Sequence, residues 1–520
     1  MFEGAGRETL ESGALPDYLP EQRWFGGKSR RISSTSIVDW AEIAGTGSAL
    51  ALVSVEYEDR ASDEYLLPLG MRFGSAGADL RSAAPQAILC AVASAEDEGV
   101  LCDALLDDGT CSALLACMEH GREIRTRKGL IRGVASSTYA EIRGPETPLV
   151  PVRGSAEQSN SSVLFGGRLI LKLFRRQEAG PNPDCEVAKY LTERAHFRHT
   201  PPFAGAIEYQ REGAEAATLV MLQGLVPNQG DGWKWTLEEL NRYYEEHDHV
   251  PFPDGALPAD TELFDFSATE TPAIAREHLG TCLDSASILG RRTAEMHLAL
   301  AAVDDPAFAP EPLGPDDVRL LAAAPEEHAA GALERLKEDL SRLPHDIAEP
   351  AGLMFSRRRQ WLDRFRTLGK LEIRALRTRI HGDYHLGQVL RAGNDYVIVD
   401  FEGEPARSLA ERRAKQSPLK DVASYAAQAA LLNYTTRRRD AFERLDPWSR
   451  LWVRSTAAEF LRTYRATAGG AAFLPAEPAA FRTLLEAFLL DKALYELRYE
   501  LDNRPAWVRI PLSGILSLAL

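Results

Sequence analysis

Early in the chain apolar runs alternate with turn residues, as in 36-SIVDWAEI-43, 49-ALALVSVEYED-59 and 64-EYLLPLG-70, whereas beyond 232 apolar residues recur at three- and four-residue spacing. Short apolar runs bounded by turn residues mark strands and period 3.6 marks amphipathic helices. The early runs read as a small antiparallel sheet, and the late ones, such as 285-SASILGRRTAEMHLALAA-302, 407-RSLAERRAKQ-416 and 479-AAFRTLLEAFLLDKALYELRYELD-502, as a helical region. Strands followed by helices point to an α+β protein.

Between these limits the pattern turns helical from about 86 to 120 and returns to strand at 129-GLIRGVAS-136, which suggests a domain boundary near 85–90. Residues 150–226 read as strand, turn, strand, helix and two further strands, with Asp184 capping a helix from about 184 to 194. The segment 250–273, rich in Pro and Asp, reads as an irregular excursion. A chain of 520 residues is expected to build two or three domains.

The net charge of −16 argues against nonspecific nucleic-acid binding, which rests on Lys and Arg neutralising phosphates. The N-terminal stretch has no basic region ahead of an apolar core, and no apolar run approaches the roughly 20 residues of a bilayer span. The expectation is a cytoplasmic protein that binds small molecules, with no nucleic acid or membrane as partner. Six cysteines without a CxxC pair or a histidine at zinc spacing read as free thiols.

Three separated pieces carry chemistry. In 158-QSNSSVLFGGRLILKLFRR-176 a loop of small residues leads into Lys172, set in a strand among Leu171, Leu173 and Phe174, and Glu186 follows on a helix. That order suits a lysine holding nucleotide phosphates and oriented by a helix carboxylate, with Ser159, Asn160 and Ser161 in the same nucleotide-binding set. The second piece, His381-Gly-Asp383-x-His385-x-x-Gln388, has the glycine and short polar residues of a tight loop. Asp383 and Gln388 are five apart, the separation of the catalytic aspartate and the metal-binding amide in kinase catalytic loops. Third, 396-YVIVDFEGEP-405 is a strand ending in Asp400, so Gln388 and Asp400 offer two hard oxygens suited to Mg²⁺. A zinc site at His381 and His385 would need a helix that Gly382 and Gly387 disfavour; His381 reads instead as a brace for the loop.

HGDYHLGQVL followed by VIVDFEGEPARSLAERRAKQSPLKDVA closely resembles the maltokinase family, within the aminoglycoside-phosphotransferase-like kinases. Similar stretches are 19-LPEQRWFGGKSRRI-32, 157-EQSNSSVLFGGRLILKLFRRQEAGPNPDCEVAKYL-191, 225-LVPNQGDGWKWTLEEL-240 and 494-LYELRYELDNRPAWVRIPL-512. The resemblance implies a bilobal protein-kinase-like fold: a β-rich N-terminal cap over 1–88, an intermediate region with the nucleotide lobe over 89–225, and a mainly helical C-lobe over 226–520. It implies transfer of the ATP γ-phosphoryl group to the anomeric hydroxyl of maltose, giving maltose 1-phosphate for glucan synthesis. In that scheme Lys172 holds phosphates, Glu186 orients Lys172, Gln388 and Asp400 bind Mg²⁺, and Asp383 orients or deprotonates the sugar hydroxyl.

Tyr495, Arg498 and Tyr499 share one helix face and, with His385 and Glu402, form the candidate sugar-contacting set. The segment 423-ASYAAQAALLNY-434 departs from the Gly-Met-Leu-Arg-Ser-Phe-like run of the family, which leaves glucosamine, another amino sugar or an aminoglycoside as an alternative acceptor. A catalytically degenerate, kinase-like binding module is the reading from another class, and the presence of Lys172, Asp383, Gln388 and Asp400 counts against it. The cap would order the nucleotide lobe or dock another enzyme of the pathway, a trehalose/maltose-converting enzyme.

Overall fold

The computed structural model describes residues 2–94, 97–145, 147–153, 160–256, 262–301, 305–340, 345–405, 407–426, 442–503 and 508–517. The chain divides into two compact units, Met1–Val226 and Pro227–Leu520.

The first unit holds two antiparallel sheets. One contains β1 (Ile32–Ile43), β2 (Ser48–Tyr57), β3 (Ser62–Phe73), β4 (Ile88–Ala93) and β5 (Glu98–Asp103), in the order β1-β2-β3-β5-β4. The other contains β6 (Glu123–Arg125), β7 (Gly129–Ala135), β8 (Pro151–Arg153), β9 (Ser161–Phe165) and β10 (Leu169–Leu173). After β10 the short β11 (Arg176–Gln177) crosses to pair with β3, and β12 (Phe203–Arg211) and β13 (Ala217–Gly224) complete the second sheet as β6-β7-β12-β13-β10-β9-β8.

The expected helical stretch from 86 to 120 is a helix only at Asp108–Glu119, where the Asp107 carboxylate accepts from Thr110 N–H and caps the first turn. Its first half is β4 and β5, because Ile88, Cys90 and Val92 alternate and Val100–Asp103 are buried as a central strand. The first sheet therefore continues past the boundary expected at 88.

One apolar core runs between the two sheets. Leu50, Leu52 and Leu66 from the first meet Val163, Leu171 and Leu222 from the second, with Cys111, Leu114 and Met118 of the helix between them. A second core, including Trp24, Val53, Tyr65 and Leu101, fills the other side of the first sheet. All six cysteines are free thiols; burial pushes those of Cys102 and Cys111 up to about 11, which leaves them unreactive.

Arg175 joins the sheets. It is 1% exposed, donates through Nε to Ser161 Oγ at 2.9 Å and through Nη2 to Asp103, and stacks 4.8 Å over the Trp24 ring. Its carbonyl accepts from Leu66 N–H at 2.7 Å. A guanidinium buried this completely needs such partners for its charge, and Nε and Nη2 have them while Nη1 is buried without one among the described residues.

The second unit is mainly helical. Its longest helices are Ala273–Ala301, Phe442–Ala468 and Pro478–Asn503. Trp448, with no exposed surface, packs 4.1 Å from the His247 ring and 4.8 Å from that of Phe252, and its indole N–H donates to Val250 O at 3.1 Å. Truncating such a ring would cost about 3–5 kcal/mol. The segment read as irregular from 250 includes a short helix, Leu263–Ala268, and the helix read at 407–416 shortens to Leu409–Arg413, opened by a Ser408–Glu411 capping box. Two small ribbons complete the unit: β14 (Glu311–Pro312) with β15 (Leu376–Arg377), and β16 (Val389–Ala392) with β17 (Asp395–Ile398). Among the described residues no helix is long and apolar enough to cross a membrane.

Candidate active site

In the first unit Leu169, Leu171 and Leu173 point into the inter-sheet core, so Lys172 points to the other face of β10. That face is covered by the helix Pro183–Glu193, with Phe174, Cys185, Ala188 and Met221 packed between. Lys172 Nζ donates to Asp184 Oδ2 at 2.9 Å, and Asp184 is 2% exposed.

The helix does bring a carboxylate to the lysine: Asp184, two residues before Glu186, forms an ion pair with it. Asp184 is not the cap expected from sequence: Asn182 is, accepting from Asp184 N–H at 2.9 Å, with Pro183 at the first helical position. That frees the Asp184 carboxylate for Lys172. Of the expected loop residues, Asn160 is half-buried, whereas Ser161 is 2% exposed and turned to Arg175, so its hydroxyl belongs to the sheet junction. Ser159 lies outside the described residues.

The second unit builds its polar centre on irregular backbone. Gly382 has φ +82°, a left-handed backbone conformation that L side chains rarely adopt, so the turn there favours glycine. The loop is held from below by Asp421. This carboxylate is 1% exposed and accepts from His381 N–H at 2.8 Å and Gly382 N–H at 3.0 Å. His297 Nε2 lies 3.1 Å from the same carboxylate and its Nδ1 lies 2.9 Å from Tyr464 OH. Burial alone would raise the pKa of Asp421, but the hydrogen bonds and charges of His297 and His381 outweigh it and hold the carboxyl below its ordinary value.

The two histidines serve the loop backbone. His381 Nδ1 accepts from Asp383 N–H at 3.4 Å and Nε2 faces Val399 O at 2.9 Å, so the ring carries its proton on Nε2. His385 Nδ1 accepts from Gly387 N–H at 3.0 Å, opening the short turn Leu386–Gln388. Burial lowers the His385 pKa, leaving a neutral ring whose Nε2–H points toward Asp383 Oδ2 at 3.8 Å. Asp383 itself is half-exposed, as a group that meets a reactant must be.

Gln388 Nε2 donates to Asp400 Oδ2 at 2.9 Å, which sets an amide and a carboxylate side by side. The strand expected to end in Asp400 stops at Ile398, and Asp400 takes φ +66°. A non-glycine residue in that region costs about 1–3 kcal/mol and is typical of functional sites. Two adjacent hard-oxygen donors fit Mg²⁺, which takes the rest of its shell from water and phosphates.

The C-terminal helix contributes the open side. Tyr495 is 43% exposed, and Glu404, Lys492, Glu496 and Asp383 all act electrostatically on its phenol. Lys492 Nζ pairs with Glu496 Oε1 at 3.0 Å and sits 5.1 Å over the Tyr495 ring. Burial would lower the Lys492 pKa, yet Glu496 and Asp383 reverse this and raise it. Glu402 lies 3.8 Å from Arg412, while Arg498 and Tyr499 are exposed farther along the helix. Residues 427–434 of the divergent segment lie outside the described residues.

Residues 18–107 match the maltokinase N-terminal cap domain. A glucosamine kinase of Streptacidiphilus jiangxiensis is 26% identical over 415 residues, 78% of this chain and 80% of that one. A glucosamine kinase of Mycolicibacterium smegmatis is 26% identical over 375 residues, 70% and 78% of the two chains. The solved structure of a glucosamine kinase with glucosamine, ADP and inorganic phosphate superposes with a TM-score of 0.65 at 20% identity, covering 100% of both chains. The maltokinase-family resemblance is borne out.

The architecture is the kinase-like α+β fold that the motifs implied, with the β-rich unit first and the helical region after. The cap match to residue 107 agrees with the strands β4 and β5 that extend the first sheet beyond 88. Sequence reasoning missed Asp421, His297 and Lys492. Asp421 had a signal, a single carboxylate in the apolar run 418-PLKDVASYA-426, and Lys492 had another, its place one turn ahead of Glu496. His297 offered none, being one polar residue in a long amphipathic helix.

Proposed function

We propose that the protein is an ATP-dependent kinase whose acceptor is glucosamine or a closely related amino sugar. The observation that carries this reading is the electrostatic influence of three carboxylates, those of Glu404, Glu496 and Asp383, together with Lys492, on the exposed Tyr495 phenol. Carboxylates beside an aromatic face suit a sugar that carries an ammonium group. The two curated relatives, both glucosamine kinases, support it. A second reading, maltose phosphorylated at its anomeric hydroxyl, is supported by the maltokinase cap over residues 18–107. The association with a trehalose/maltose-converting enzyme belongs to that reading alone.

In either reading Lys172, fixed by Asp184, holds ATP phosphates. Gln388 and Asp400 would hold Mg²⁺, which supplies charge neutralisation on the phosphates when bound. Asp383 receives the hydrogen bond of the acceptor hydroxyl and takes its proton, while the neutral His385 ring and the Asp421 brace keep the carboxylate in place. The dependence on ATP points to the cytoplasm.

The cap, in our reading, orders the nucleotide lobe. Arg175 stands three residues after Lys172 and ties β9 to Trp24 and Asp103. Arg175→Met is expected to lower stability by about 3 kcal/mol, since it strands a buried carboxylate, and to weaken ADP binding in calorimetry. Unchanged ADP affinity in a folded variant would reject this role.

The acceptor is decided by coupled ATP turnover of the purified protein with glucosamine, maltose, glucose and an aminoglycoside, followed by phosphorus NMR of the product. Turnover with glucosamine and not maltose is the expected result. Turnover with maltose and an anomeric phosphate would install the second reading, and no sugar-dependent turnover would favour a binding module.

A further inference from the structure

A cavity of about 1450 Å³ opens in the helical unit, and none of its lining residues belongs to the loop 381–402 or to the helix face of Lys492, Tyr495 and Glu496. Its walls come from the helix Leu263–Ala268, the start of Ala273–Ala301, the segment 373–376 and the end of Phe442–Ala468 with the turn beyond it. That volume exceeds the usual few hundred to 1,000 Å³ or so of a small-ligand site.

In a chain of net charge −16, four arginines line this cavity against two glutamates, Glu270 and Glu459. Arg462 is held in place: it pairs with Glu459 and donates to Ser267 O at 3.2 Å, Thr269 O at 2.9 Å and Thr271 Oγ1 at 2.8 Å. The other three, Arg276, Arg374 and Arg465, form no ion pair among the described residues. Arg465 is the telling one. It is half-buried, stacked 4.2 Å from the Phe264 ring and 5.6 Å from that of Phe481, and among the described residues its one side-chain hydrogen bond is to Ser267 Oγ at 3.2 Å. Burial lowers its pKa, with Asp265 acting in the opposite sense. Leu313, Ile373 and Leu474 add apolar wall beside the cations.

From this geometry we infer a second ligand site that takes a small organic phosphate: the phosphoryl group on Arg465, Arg374 and Arg276, and the carbon body against Phe264, Phe481 and the aliphatic wall. Guanidinium forks match phosphate oxygens in pairs, and rings suit the face of a sugar or a base. A bare anion would leave the apolar part of the cavity unfilled.

The test is calorimetry on the full chain, with ADP saturating the nucleotide site, titrating glucosamine 6-phosphate, AMP or inorganic phosphate. At least one ester should bind, and which of the two does so names the source of the phosphate. Arg374→Glu and Arg276→Glu, both on exposed side chains and outside the catalytic machinery, should weaken that binding about tenfold or more while leaving turnover without added phosphate unchanged. Arg465→Gln should do the same, with a melting curve to confirm that it folds. Ester binding that survives the two exposed-arginine variants would overturn the proposal, as would binding of inorganic phosphate alone or of none of the three.

Discussion

Lys172 and Asp383 are charged residues held by opposite means. Lys172 stands in a regular strand, and one ion pair to a regular helix positions it. Asp383 stands on a loop with positive-φ glycine beside it, and its place depends on a buried carboxylate 38 positions away in sequence, two histidines and a tyrosine. A strand restrains its residue by backbone pairing; a loop must be restrained by side chains. The contrast leads us to expect that the surroundings of Lys172 tolerate local change, whereas the loop fails as a unit.

The largest effect should come from the loop itself. Asp383→Asn is expected to lower sugar-dependent ATP turnover by about 10³-fold while ADP affinity stays within about twofold. Loss of ADP binding in that variant would break the separation between the two regions.

Next is the brace. Asp421→Asn should cost about 3 kcal/mol in urea unfolding, because it leaves buried donors without their charged partner. The native carboxyl titrates below its ordinary value of 3.8, so its stabilisation is complete above that pH and is lost as pH falls through the lowered native value. The stability gap between the parent and Asp421→Asn should therefore be widest near neutrality and close in acid. A gap that persists unchanged at low pH would contradict the assignment of charge.

A smaller effect is expected in the nucleotide region. Asp184→Asn should raise the KM for ATP about tenfold with little loss of stability, and Glu186→Gln should raise it less. The reverse order would return the orienting role to Glu186. Smallest of all, Tyr495→Phe, which keeps the ring over Lys492, should change the sugar KM by about threefold or less, whereas Tyr495→Ala should raise it more.

Much of the first unit was legible because its strands are apolar runs bounded by turn residues: β1, β2, β3, β7, β9, β10, β12 and β13 all lie where those runs put them. The segment 86–120 misled because a strand buried along most of its length, Val100–Asp103, shows no alternation, and the neighbouring Ala, Leu and Cys of a true helix supplied the wrong period. The cap of the helix Pro183–Glu193 was misplaced by two residues, since Asn182 and Asp184 are both good caps and only the lysine's demand for a carboxylate distinguishes them.

At the candidate site the motif spacing was enough to bring Gln388 against Asp400, because both lie at the ends of the β16–β17 hairpin, a local structure. It could not reveal Asp421, His297 or Tyr464, which meet the loop across tens to hundreds of positions of chain.

The amino-acid sequence by itself determined the alternation of strands, the switch to helices, the family motifs and the local pairing of amide and carboxylate, all of which rest on neighbours within a few residues. Only the tertiary structure decided that Asp184 pairs with Lys172, that Arg175 binds the cap to the second sheet, and that Asp421 carries the loop at His381 and Gly382. A buried charge is defined by whichever groups the fold brings around it, and no local pattern encodes that company.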